Sequence, residues 1–454
     1  MGLFDKLKKD KTEDTAKASA KSHYLSGKEV REIAKANAVI VKRLEKEKKR
    51  KKHPSEYTTE MKDPNNILEV DNLHSYFFTD QGVVKAVNGV TFSLPTNATV
   101  GVVGESGCGK SVTSMSVMRL LQGPSGQIVE GSIRFRASDY KRDEKGGFIP
   151  VYEKAENGEI VYEEVKDKNG NVKLDANGNP LKQPKQLLDE DGIGVFEMEE
   201  KVFDIAKMPI DEMYKLRGRQ MAMVFQEPMT SLNPVFTIGN QLDEVSLLHI
   251  PGATKELAKK RSLDMLNMVG IAMPERVYAS FPHELSGGMR QRVMIAMALA
   301  CEPRLIIADE PTTALDVTIQ AQILDLFNDL KRKINSSILL ITHDLGVIAE
   351  MADYVVVMYA GRIIEQGTAS EIFHKPCHPY TQGLQKSKPT MNSSEDKLFN
   401  IPGNVPNPVN MPNNCYFKER CSQCIGKCSG EYPGMVQVSP THYVACHLYS
   451  EKED

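Results

Sequence analysis

An apolar run, a glycine-rich turn and a helical pattern follow one another in "ATVGVVGESGCGKSVTSMSVMRLL" at 98–121. Its centre, "GESGCGKS" at 104–111, fits G-x-x-x-x-G-K-[ST]. Few features limit a fold more. Gly104, Gly107 and Gly109 let the backbone curl until its N–H groups point inward at phosphate oxygens. The helix that follows turns its positive N-terminal end to the same anion. The expected cradle is Gly104, Glu105, Ser106, Gly107, Cys108, Gly109, Lys110, Ser111 and Val112. Lys110 reaches the β- and γ-phosphates, and Ser111 offers its hydroxyl to Mg²⁺.

A second apolar strand, "RLIIADEP" at 304–311, ends in two carboxylates. Beside a phosphate loop, Asp309 is expected to hold Mg²⁺ and Glu310 to polarise the attacking water.

Composition sets the rest of the frame. The 454 residues are 41% hydrophobic and 26% charged, with a net charge of -3, so bulk charge gives no sign of a nucleic-acid partner. No apolar run approaches the roughly 20 residues of a membrane helix. The start, "MGLFDKLKKDK", lacks a signal-peptide core, and Lys6 stands where myristoylation expects Ser or Thr. A cytosolic setting follows, where clustered cysteines mean metal or redox chemistry rather than structural disulfides.

Three regions are expected. Residues 1–65 hold 18 Lys/Arg against 11 Asp/Glu and read as a basic, partly helical extension: a solvated tail, or a segment touching anionic lipid. Residues 66–375 alternate strands and helices as a nucleotide-binding domain. Inside it, 136–210 holds 17 Asp/Glu against 12 Lys/Arg and reads as an acidic insertion of Asn-Gly hairpins. Its "DKNGNVKLDANGN" is no calcium loop, because Val172 stands where an EF-hand needs Gly. Residues 376–454 form a Pro- and Cys-rich, loop-rich C-terminal domain.

"LSGGMRQR" at 285–292 resembles the signature motif of ABC-transporter ATPases, and other family elements follow in order. Gln226 in "MVFQEP" matches the Q-loop glutamine, Asp316 in "TALD" the D-loop, and His343 in "LLITHD" the switch histidine. Phe77 lies where the family places an aromatic against adenine. The resemblance implies an α/β phosphate-loop core with antiparallel β and helical subdomains. It makes Glu310, His343, Gln226 and Lys110 catalytic, and Ser111, Gln226 and Asp309 the Mg²⁺ set. It also implies that Ser286, Gly287 and Gly288 face ATP bound to a partner ATPase, so one chain supplies half of each site.

"FQEPMTSLNP", Met289 in the signature, "HKPCHPYTQGL" and "IPGNVPNPVNMPNNC" are similar to the oligopeptide/dipeptide-importer branch. That likeness implies a peripheral ATPase at the cytoplasmic face of a cell membrane. Its partners are a homologous ATPase, two permease subunits and an extracytoplasmic peptide-binding protein. Sibling members import nickel. A soluble ABC ATPase acting on ribosomes or DNA is the rival from another class. It usually carries two cassettes or a long coiled coil, and this chain has neither.

The branch also accounts for "NCYFKERCSQCIGKC" at 414–428. Its four C-terminal cysteines match Cys415, Cys421, Cys428 and Cys446, and some members bind a [4Fe–4S] cluster there. Cys421 and Cys424 form a C-x-x-C, so zinc is one alternative, and a transient disulfide and inert thiols remain open. Cys108, Cys301 and Cys377 have no ligand partner visible in sequence.

Overall fold

A computed structural model describes residues 26–167, 170–189, 192–227, 231–313, 317–387 and 400–450. Helix α1 (Gly27–Lys48) precedes a long antiparallel pair, β1 (Asn66–Thr79) and β2 (Gly82–Pro95). The short strand β3 (Thr99–Val103) leads into α2 (Lys110–Val117). Next come β4 (Gly126–Tyr140), β5 (Met198–Asp204) and β6 (Met221–Val224). A helical group follows, α3 (Ile238–His249), α4 (Lys255–Met268), α5 (Pro274–Ala279) and α6 (Gly287–Leu299). Then β7 (Leu305–Asp309), α7 (Val317–Ile334), β8 (Ser337–Thr342), α8 (Leu345–Met351) and β9 (Tyr354–Tyr359) alternate. Strand β10 (Arg362–Thr368), α9 (Ala369–His374), α10 (Pro379–Lys386), β11 (Val436–Gln437) and β12 (Tyr443–Val444) complete the described chain.

Strands β3, β7 and β8 are buried along their whole length and β9 over all but its first residue, as continuous apolar runs demand when both faces are covered. They lie in one eight-stranded sheet of order β11-β12-β10-β9-β3-β8-β7-β6. Its β9-β3-β8-β7-β6 part is parallel. Alternate residues serve two cores: Val100, Ile307, Leu339 and Val356 face one, and Val103, Ile306, Leu340 and Val357 the other. The first core lies under the antiparallel sheet, where β5-β4-β1-β2 run side by side with Thr58–Thr59 on the β5 edge. The second takes in the helices and part of the C-terminal segment. In such a sheet the crevice beyond the carboxyl ends of the parallel strands is the natural ligand site.

Three expectations need correction. The basic extension is not a free tail over its described part. A capping box starts α1: Ser26 N–H donates to the Glu29 carboxylate at 2.8 Å and Glu29 N–H to Ser26 Oγ at 3.3 Å. The helix packs on β1, β2 and β4, and the buried Asn37 donates Nδ2–H to the Thr79 carbonyl at 2.7 Å. Residues 1–25 lie outside the described residues.

The insertion is shorter than 136–210. Strands β4 and β5 continue the ATPase-type sheet in register from Arg134↔Asp204 to Tyr140↔Met198, so the inserted arm is 141–197. Tyr162–Glu164 and Lys182–Pro184 form a short antiparallel pair within it, but most of its pairing is not ladder-like. Where three segments meet, hydrogen bonds run in a ring: Val151 N–H to Val195 O, Val195 N–H to Leu187 O, and Leu187 N–H to Val151 O, at 2.9, 2.7 and 2.8 Å. Glu153, Lys185 and Val161 repeat the ring, as do Val165, Leu181 and Lys173. Backbone groups at each junction are thus paired with one another.

The C-terminal segment is not separate from the nucleotide-binding core. β12 adds to the edge of β10, with Glu365 opposite Val444. Val409 bridges Val84 of β2, and Asn410 N–H donates to the Val83 carbonyl at 3.1 Å. Cys377 also acquires neighbours that sequence did not show. Glu365, Cys377 and His442 are all buried together. The Glu365 carboxylate is already met by Cys377 N–H at 2.6 Å, His378 N–H at 2.9 Å and His442 Nε2 at 2.8 Å. That arrangement satisfies a buried carboxylate and pins the tail to the sheet.

Candidate functional site

The carboxyl ends of β3, β6, β7 and β8 lie side by side, and each carries an expected site residue. After β3 the chain turns through Gly104 with φ +158° and Gly109 with φ +102°. A Cβ on Gly109 would stand 2.2 Å from the Ala86 carbonyl oxygen, so only glycine fits. Lys110 is buried and donates Nζ–H to the carbonyls of Gly104 at 2.7 Å and Glu105 at 3.1 Å. Ser106 and Gly107 are exposed at the mouth. Cys108 is fully buried beneath the loop and Val112 packs into the core, so only their backbones are left to meet a phosphate.

Ser111 Oγ–H donates to Asp309 at 3.0 Å, and Ser114 Oγ–H at 3.4 Å, a partner that sequence reading missed. Burial pushes the Asp309 carboxyl up, the two hydroxyls oppose this, and the neighbouring Glu310 adds to it. Such a pocket favours a cation beside it. Glu310 stands at φ +48°, an unusual backbone for a residue with a side chain. Its Oε2 is the meeting point of Gln226 Nε2 at 2.9 Å, Thr313 Oγ1 at 2.9 Å and His343 Nδ1 at 3.3 Å. Gln226, read from sequence as a Mg²⁺ ligand as well, hydrogen-bonds the carboxylate here. Thr313 was not foreseen.

Ser286 caps α6, accepting Met289 N–H at 3.3 Å. Ser286 and Gly287 are exposed, and Gly288 is half-buried, so the helix end faces outward. Gln291, further along α6, donates Nε2–H to the Pro311 carbonyl at 2.6 Å and ties this helix to the segment after Glu310. Asp316 lies outside the described residues. Phe77 is half-buried on β1, opposite Val84 and Gly126.

Residues 87–313 match the model of the ABC transporter family, and 364–428 match the oligopeptide/dipeptide transporter C-terminal region. The oligopeptide transport ATP-binding protein AppD of Bacillus subtilis is 42% identical over 386 residues, spanning 85% of this chain and 98% of that one. The chain belongs to the ABC transporter ATP-binding proteins. The oligopeptide transport ATP-binding protein OppD of the same organism is 44% identical over 383 residues, 84% of this chain and 88% of its own. A solved dimer of the ATP-binding cassette MJ0796 with ADP and Pi overlaps 66% of this chain and 98% of its own, at TM-score 0.47 and 21% identity. Membership of the ABC transporter ATP-binding proteins makes this an ATPase that uses ATP with Mg²⁺.

The cysteine cluster can be placed on the ATPase. All eight cysteines are free thiols. Cys415 lies in the field of Cys428, Cys446 and Cys421; Cys446 feels Cys421 and Cys428; Cys421 feels Cys428. Each of the four is thus a neighbour of the other three. Burial, reinforced by these neighbours, pushes the Cys415 and Cys446 thiols up to about 11. Cys424 is exposed, and its cysteine neighbours are Cys428 and Cys421. To bind a metal these thiols must first lose the protons that burial favours, and among the described residues the set whose ligand atoms lie within 4.8 Å of one another is Glu365, Cys377 and His442.

The arm stands apart from these contacts. Lys141 N–H donates to the Glu197 carbonyl at 2.8 Å, so a short glycine-serine link can join the two. Deleting 142–196 this way is expected to leave ATPase activity within a few-fold, because surface insertions close cheaply. A wider cut through 205 would remove β5 with Asp204, whose buried carboxylate accepts Ile133 N–H at 3.1 Å. Loss of activity in a folded 142–196 deletion would show a functional contact in the arm.

Proposed function

We propose that this ATPase energises uptake of oligopeptides or dipeptides. It sits at the cytoplasmic face of a cell membrane and drives two permease subunits, paired with a homologous ATPase. An extracytoplasmic binding protein delivers the peptide. The observation that carries this is the match of residues 364–428 to the peptide-transporter C-terminal region, in a segment folded into the nucleotide site itself. Among the described residues no helix is long and apolar enough to cross a membrane.

The chemistry is in-line attack of water on the γ-phosphate. Lys110 and the loop N–H groups from Gly104 to Val112 hold the phosphates, with Phe77 against adenine. Ser111, Gln226 and Asp309 would hold Mg²⁺, which would neutralise phosphate charge when bound. Glu310 polarises the water, and Gln226, Thr313 and His343 keep its carboxylate aimed; His343 also reaches the γ-phosphate. The exposed Ser286–Gly288 end completes the partner's site, so ATP clamps two subunits together. Cys415, Cys421, Cys428 and Cys446 would hold a [4Fe–4S] cluster, with zinc as the other candidate. The group supplies folding energy to a loop-rich segment. The proximity of these four thiols supports the four-thiolate set, and Cys424, beside Cys428 and Cys421, keeps the zinc candidate in play.

The test is reconstitution of the ATPase with its permeases in vesicles. Peptide-loaded binding protein should raise ATP hydrolysis several-fold over binding protein alone. Stimulation by a nickel-loaded binding protein, and not by peptide, would overturn the substrate assignment.

A further inference from the structure

The sequence between Cys415 and Cys421, "CYFKERC", ends on Arg420. This guanidinium is 8% exposed and lies against the phosphate loop. Its Nη1 donates to both Glu105 carboxylate oxygens, at 3.1 and 3.0 Å. Its other donors are used as well. Nε–H meets the Pro402 carbonyl at 3.0 Å, Nη2–H the Ile401 carbonyl at 3.4 Å, and Nη1 also the Tyr359 hydroxyl at 3.4 Å. The cation lies 5.8 Å from the Tyr359 ring centre and 5.9 Å from that of Phe417.

A second contact reaches the same loop residue. Glu105 N–H donates to the hydroxyl of the fully buried Tyr380 at 2.8 Å. "HPY" at 378–380 has a local reason for this aim. His378 caps α10 by accepting Tyr380 N–H at 3.0 Å, Pro379 opens the helix, and Tyr380 is left pointing at the loop. Burial holds the His378 imidazole neutral, down at about 3, so it stays an acceptor. Tyr380, Tyr359 and Phe417 pack ring against ring, with centres 4.8 to 5.5 Å apart. Glu105 is therefore held at its amide and at its carboxylate by the C-terminal segment.

We infer that Arg420 is a positioning residue for nucleotide binding, and that the Cys415–Cys421 loop and the phosphate loop are coupled through its pairing with Glu105. The inference rests on the ATPase reading and adds a control point to the same site. A charge-assisted pair between the buried Arg420 guanidinium and the part-exposed Glu105 carboxylate is strong enough to bias the loop's conformation. Coupling is reciprocal: whatever orders the cysteine loop tightens nucleotide binding, and bound nucleotide protects the cysteine loop.

The test uses the full-length ATPase in its complex. Arg420→Met should raise KM for MgATP by about tenfold and leave kcat within about twofold, the pattern of lost ground-state binding. Arg420→Lys should restore part of the affinity, because it keeps the charge but not the fork. Arg420→Met with Glu105→Gln should be no worse than the worse single variant, since the two share one interaction. In the native protein, MgATP should slow amide exchange over 415–421; in Arg420→Met that protection should fall. If Arg420→Met fails to fold, Arg420→Lys and Glu105→Gln, each read for KM and for exchange protection over 415–421, carry the test. Unchanged KM in a folded variant, or multiplicative effects in the double variant, would overturn the coupling. Native protein that binds no MgATP would overturn the ATPase reading instead.

Discussion

Replacing Glu310 by Gln lowers turnover by about 10²–10⁴ while ATP remains bound, the usual cost of losing a water-activating base. The effect is large because Glu310 Oε2 accepts from Gln226 and Thr313 and lies 3.3 Å from His343 Nδ1. The amide keeps the shape of the side chain, and its oxygen still accepts from Gln226 and Thr313. What disappears is the negative charge that polarises water. The backbone at φ +48° is unchanged, since Gln tolerates what Glu tolerates. ATP is held elsewhere, by Lys110 and the loop amides. Single-turnover hydrolysis and nucleotide binding on the assembled complex separate the two effects. Near-normal hydrolysis in the variant would remove Glu310 from its role.

Replacing Cys415, Cys421, Cys428 or Cys446 by Ala should bleach protein purified without oxygen. Iron and acid-labile sulfide should fall from about four each per chain, the content of one [4Fe–4S] cluster, towards zero. Amide exchange over 400–450 should accelerate, because a bound group gives a loop-rich segment its folding energy. Cys424→Ala should do neither, since Cys424 is exposed and has only two of the four as cysteine neighbours. From sequence, the phosphate loop belongs to a different module, and these variants leave ATP binding untouched. Arg420 changes that expectation. It sits one residue before Cys421 and bonds Glu105, so weakened MgATP affinity should accompany the lost colour. Colourless native protein with one zinc per chain, dependent on Cys424, would instead favour the C-x-x-C site.

Much of the site is legible in short windows. The phosphate loop shows its purpose in eight residues, because glycine spacing and backbone amides do the binding. The strands β3, β7 and β8 are apolar runs whose ends carry Gly104, Asp309 with Glu310, and His343. Once these strands lie parallel and adjacent, their ends must form one crevice. Thr313 and Ser114 were missed because a lone hydroxyl has no distinctive pattern until its acceptor is known.

Elsewhere the tertiary structure decided. Helix α1 reads as a solvated basic tail, since its buried contact is one polar side chain, Asn37, on a distant carbonyl. The arm begins at 141 rather than 136, because β4 and β5 have the same alternating texture as the hairpins they support. The three-way backbone rings leave no trace in side-chain pattern at all. Arg420 and Glu105 stand 315 positions apart, and any surface arginine offers the same five donors. By itself, the sequence determined the fold class, the phosphate chemistry and the order of the motifs, because each depends on local backbone geometry or on a strand's own burial. Only the tertiary structure decided that the cysteine-bearing tail holds the nucleotide loop. A side chain's partner is set by where the chain returns in space, and that return is the sum of packing over two cores.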